Sequence, residues 1–177
     1  MSTISQGRVG GMSTGKVALG IVLLSESVFF GTLLAAYAAM RGESASFPAP
    51  DVTRLAVAAG NTLVLLLSAL CVRAASAPDT RTASRLPWLA ATLALGAVFV
   101  VGQIYDFGHL GMRVDDAAFG GVFFALMGFH ALHILAGMTL LGINLVRLKL
   151  GDFKAGNNEA IEVGALFWYY VTAVWIV

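Results

Sequence analysis

Five side chains in this sequence could handle protons or bind a metal from within or beside apolar runs: Glu26, Asp106, His109, His130 and His133. Carboxylates and imidazoles are the groups that exchange protons or ligate metals near neutral pH. Of the 10 acids in the chain, only Glu26 and Asp106 fall inside apolar runs. Glu26 is the more telling. It sits near the middle of the run Val17–Met40, in Ser25-Glu26-Ser27-Val28-Phe29-Phe30. Placing an ionisable group at the centre of a membrane span costs about 3 kcal/mol on insertion scales, so such a residue faces a bundle interior and has a reason to be there. A structural hydrogen bond, a proton relay and contact with a lipid headgroup all remain open for it.

His130 and His133 are three residues apart and project from one side of a helix. Gly137 and Asn144 continue the line from His130 at heptad spacing. A stripe of small and polar residues is how helices meet in lipid. Glu26 and the two histidines lie at similar depth along their runs, which predicts a buried polar network of Glu26, His130 and His133. Metal ligation fits poorly. Two histidines one turn apart cannot occupy opposite faces of one haem, and no Cys, Asp or further His completes a ligand cluster. No metal site and no catalytic residue are expected in this chain. Gln103, Asp106 and His109 form a second group at the end of another run. They are expected as an interfacial polar cluster, where charge costs less. The only cysteine, Cys71, can make no internal disulfide.

These groups need helices to carry them. The chain is 58% hydrophobic and 12% charged over 177 residues, against roughly 25% charge in soluble domains. The class is all-α, a polytopic membrane bundle in a single domain over 1–177. Five spans are predicted, at 17–40, 55–72, 88–110, 119–146 and 163–177. The last run rises only about 22 Å at 1.5 Å per residue, short of a hydrocarbon core of about 30 Å, so it is expected to be cut by the end of the sequence. Pro87 is placed to open the third helix, and Asp115 and Asp116 are candidate N-caps for the fourth. With a cytoplasmic N-terminus, eight Lys and Arg residues fall inside and three (Arg41, Arg54 and Arg113) outside. The positive-inside rule selects that orientation. A cleaved signal peptide is the rival for the first run, but its length and Glu26 argue against it. The net charge of +1 and the lack of a basic tract give no sign of a nucleic-acid partner.

With these residues in place, the chain resembles subunit III of the haem–copper terminal oxidases, from about Gly20 onward. Gly128-Phe129-His130-Ala131-Leu132-His133 is close to the family's G-F-H-G-L-H. Ser25-Glu26-Ser27-Val28-Phe29-Phe30 is similar to its S-E-x-x-F-F, Asn61-Thr62 to its N-T helix, and Gln103-Ile104-Tyr105-Asp106 to its Q-x-x-E. Glu159 to Trp175 resembles the family's last segment, but Tyr169 stands where the family has His and Thr172 where it has Asp. The resemblance implies a five-helix bacterial form in the plasma membrane, lacking the first two of seven helices. It implies no cofactor in this chain, with haem and copper held by a catalytic subunit I beside subunit II. It also implies a bound phospholipid and a supporting role in proton uptake. Asn61, Gly137, Trp168 and Tyr169 are the candidate lipid or helix-interface contacts.

Two other classes compete with this reading. An accessory subunit of nitric oxide reductase would share the fold. An independent small proton-coupled transporter would use Glu26 and Asp106, although these acids lie at different depths with no charged group between them.

Overall fold

The computed structural model describes residues 8–9, 12–43, 52–78, 82–109, 117–152 and 158–177. A two-residue antiparallel ladder, β1 (Arg8–Val9) with β2 (Met12–Ser13), precedes five helices. These are α1 (Thr14–Glu43), α2 (Val52–Ser76), α3 (Thr82–Gly108), α4 (Ala117–Lys149) and α5 (Glu159–Ile176). Four are long and apolar enough to cross a membrane: α1, α2, α3 and α4. The fifth is shorter, 18 residues, and opens with Glu159 and Glu162 in its first turn. It nonetheless lies deepest, packed against α1, α2 and α4, while α3 closes the bundle between α2 and α4.

Backbone chemistry sets the ends. Carboxylates favour the exposed N–H groups of a helix start, and α5 begins with two of them. The α4 helix stops at Gly151, whose φ of +76° is left-handed. Its N–H reaches Leu148 O at 3.2 Å and the Asp152 N–H reaches Arg147 O at 3.1 Å. A side chain at Gly151 would be strained there. Pro87 does not open α3. The helix starts at Thr82 and carries the proline inside it; so near the start the ring removes one early hydrogen bond without ending the helix. Asp115 and Asp116 lie outside the described residues.

In hydrocarbon no water can satisfy a stray hydroxyl, so polar atoms must find partners within the protein. Ser27, Thr32, Thr62, Thr92, Thr139 and Thr172 donate to the carbonyl one turn back, at 2.7–2.9 Å. Large apolar side chains on the outer surface, Ile21, Leu24 and Leu70 among them, are more than half exposed, the face a lipid-embedded bundle presents. Leu65, Leu89, Phe99, Ile134, Leu141, Ile161 and Trp168 fill the centre.

Trp168 is the anchor of that centre. It is fully buried, and its indole N–H donates to Ser68 Oγ at 2.9 Å. Glycines let it in: a Cβ on Gly137 would stand 2.8 Å from Trp168 Cε3, and one on Gly96 3.0 Å from the same ring. One heptad later, Trp175 donates to Thr62 Oγ1 at 3.0 Å. The two indoles thus pin α5 to α2 at two levels, in antiparallel order. At one end of the bundle Lys16 pairs with Glu162, and a Cβ on Gly15 would press on the Glu159 carboxylate. The first turns of α1 and α5 therefore share an end.

Candidate functional site

Glu26 projects from α1 toward α4 and meets His133, with Oε2 3.2 Å from Nε2. The other ring nitrogen of His133, Nδ1, lies 2.7 Å from Phe129 O. A carbonyl can only accept, so Nδ1 carries a hydrogen. Nε2 is then the single ring position left to face the carboxyl. One proton shared there, on oxygen or on nitrogen, keeps the pair neutral overall, which is the arrangement a low-dielectric site favours. The Phe30 ring stands edge-on to the imidazole at 5.1 Å, and Phe167 stacks near it at 6.2 Å. Glu26 is 32% exposed and His133 16%, so the carboxyl side opens toward the bundle surface. The buried hydroxyl of Tyr170 lies near Ser27 and has no hydrogen-bond partner among the described residues.

His130 has a different setting. It is 5% exposed, and neither ring nitrogen has a hydrogen-bond partner among the described residues. Its neighbours are aromatic: Trp175 at 5.3 Å and Phe99 at 6.3 Å between ring centroids. It borders a cavity of about 400 Å³ with Phe30, Leu34, Tyr37, Thr62 and Trp175. The structure brings Glu26 and His133 together and sets His130 apart from them.

Gln103 turns to α2, where its Oε1 accepts from Asn61 Nδ2 at 3.2 Å, with Asn61 7% exposed. His109 bonds Tyr105 O through Nδ1 at 2.7 Å and lies against the Tyr105 ring, and its N–H reaches Asp106 O at 3.1 Å. Asp106 thus lies in the last turn of α3 and His109 directly after it, about one turn beyond Gln103. Gly137 and Trp168 meet in the core, and Tyr169 packs at its edge. Phe167 and Trp168 are interior residues. Asn144 Nδ2 donates to Ala160 O at 2.8 Å and ties α4 to the start of α5. Sequence reasoning missed the indole–hydroxyl pairs. The signal was present as two tryptophans seven residues apart and two isolated hydroxyl residues, Thr62 and Ser68, in an apolar run. Among the described residues, His, Cys, Asp and Glu side chains do not gather in threes as a metal site would need.

The fold and the site together define a class: an all-helical membrane protein whose intramembrane polar groups mostly bond to one another and to backbone. Residues 8–177 match the family described as cytochrome c oxidase subunit III, and the chain belongs to it. Among its relatives, cytochrome c oxidase subunit 3 of Thermostichus vulcanus is 33% identical over 168 residues, 91% of this chain and 82% of the relative. Cytochrome bo(3) ubiquinol oxidase subunit 3 of Pseudomonas putida is 33% identical over 88% of this chain and 78% of its own length. A probable cytochrome c oxidase subunit 3 of Nocardia farcinica is 34% identical, covering 90% and 83%.

Proposed function

We propose that this chain is the non-catalytic, integral-membrane subunit III of a haem–copper oxidase, a complex that passes electrons to oxygen and moves protons across a bacterial plasma membrane. The observation that carries the reading is family membership over nearly the whole chain, with relatives named as subunits of both cytochrome c and ubiquinol oxidases. Haem and copper belong in this reading to a partner, the catalytic subunit I, with subunit II alongside. The Glu26–His133 contact engages those two donors within the chain, in keeping with that division. The N-terminus is cytoplasmic, following the excess of positive charge on that side. The shared end of α1 and α5, with Lys16 on Glu162, then lies at the cytoplasmic surface. Phospholipid covers the exposed apolar faces. The Glu26–His133 pair gives α1 its polar tie to α4, and that tie supports the proton uptake of the whole complex. Affinity purification of the tagged chain from native membranes tests the assignment. A co-purifying polypeptide with haem absorbance and bound copper is expected. A chain recovered alone, or with a haem partner that reduces nitric oxide and binds no copper, would overturn it.

A further inference from the structure

We propose that the groove between α3 and α4 at Gln103 and His130 binds an uncharged, membrane-soluble ring compound bearing a carbonyl or hydroxyl oxygen, the chemistry of a quinone or quinol head. The groove encloses about 260 Å³ and is walled mainly by apolar side chains, including Phe99, Ile104, Met127 and Leu135. Two polar side chains meet on it. Gln103 Oε1 is engaged by Asn61, which leaves the amide Nε2 as a donor. His130 is 95% buried, and neither of its ring nitrogens has a partner among the described residues. A neutral imidazole has one donor and one acceptor to satisfy, and a buried polar group left unpaired is costly enough to need an explanation.

The occupant follows from that lining. Among the described residues no Lys or Arg lines the groove, so no cationic side chain is there to balance a phosphate or carboxylate. An apolar slot with a few convergent polar groups is the usual form of a small-molecule site. Gln103 offers hydrogens to an oxygen, and His130 either offers one or accepts one, so a carbonyl and a hydroxyl are both served. Flat aromatic neighbours suit a ring: Phe99 lines the groove and lies 5.0 Å from Trp175. Ile104 and Leu135 at the rim are 65% and 49% exposed, so the slot opens sideways and a ligand would enter from the bilayer. The groove is built from this chain alone, so the inference stands apart from the assignment of partners.

Photolabelling of native membranes containing the full chain tests it, with an azido-benzoquinone carrying a decyl tail as the probe. Label is expected on peptides spanning 99–107 and 127–135, and excess unlabelled decyl-benzoquinone should remove most of it. Dioleoylglycerol, which has ester carbonyls but no ring, should compete poorly. Gln103→Leu and His130→Phe should each lower labelling about 5-fold, the loss of one neutral hydrogen bond. His130→Gln, which keeps a donor and an acceptor, should lose less. Immunoblots of chain abundance separate lost binding from lost folding, and the wild-type competition decides if a variant fails to accumulate. Labelling that cold quinone does not displace, that dioleoylglycerol displaces equally well, or that both variants leave unchanged would overturn the proposal; a groove holding only water gives the first of these results.

Discussion

His130 and His133 share a helix, a residue type and nearly a depth, yet they have opposite surroundings. His133 has both ring nitrogens engaged, one by a carbonyl of its own helix and one by the Glu26 carboxyl. His130 is the more deeply buried and has neither engaged among the described residues. Three residues turn a helix by about 300°, so the side chains diverge by about 60°. That angle is enough to send one toward α1 and the other toward the rings of α3 and α5. Spacing along a helix places two groups on one side; the neighbouring helices decide what each one meets. A paired imidazole is a structural tie, whereas an unpaired one at the wall of a cavity has hydrogen-bonding capacity to spare.

The change with the largest expected effect removes what both settings share. Phe167 stacks by His133, Trp175 lies against His130, and Trp168 between them holds α5 in place. Trp168→Ala empties the centre of the bundle, and losing a buried aromatic of this kind costs about 3–5 kcal/mol. Cys71 is the only cysteine and is half-buried on α2. Its rate of thiol labelling in heated membranes therefore reports loosening of the bundle around α2. Labelling of the variant should begin well below the wild-type temperature. An unchanged profile would mean that the indole is not the anchor.

The next change separates the paired histidine from the unpaired one. Glu26→Ala and His133→Ala each leave one intramembrane polar group without its partner, and the two substitutions together should cost less than their sum. The coupling expected for a hydrogen bond in a membrane is about 0.6–2 kcal/mol. A cycle of the two single variants and the double variant, read by the same thermal labelling, measures it. A parallel cycle of Glu26 with His130 should show coupling near zero. If both cycles gave the same value, the two histidines would belong to one network after all. In the oxidase complex, Glu26→Ala should leave assembly largely intact and shorten the period of steady turnover, measured as oxygen consumption over time.

Much of this architecture was legible in the residues, for a physical reason. In lipid, length and apolarity alone reveal a helix, and the sequence's first four runs correspond to the four helices that are long and apolar enough to cross. The fifth was harder to read, because two glutamates at its start shorten the apolar stretch while its middle is the most buried part of the bundle. Glu26 stood out because a carboxylate deep in an apolar run is costly unless the bundle interior gives it a partner. What depth and spacing cannot supply is rotation about the helix axis. Rotation decides that Gln103 turns to Asn61 on α2, not along its own helix to Asp106 and His109. The indole–hydroxyl pairs were hidden for the same reason, since their partners are 100 and 113 residues apart in the chain.

The smallest effect should fall on the residue that looks most conspicuous. Replacing a paired polar group is costly, whereas replacing an unpaired one with an apolar group of similar shape is neutral or stabilising. His130→Phe in membranes extracted free of quinone should leave the labelling temperature of Cys71 unchanged or raise it slightly, by the equivalent of at most about 1 kcal/mol. His133→Phe should lower it. The opposite signs depend on partners alone, since the substitution and the helix are the same. Adding decyl-benzoquinone sharpens the contrast: a ligand that binds only the folded chain stabilises it by mass action, so wild type should gain and His130→Phe should not. If His130→Phe proved as damaging as His133→Phe in quinone-free membranes, the imidazole would be held by a bond inside the chain and would have no need of a ligand.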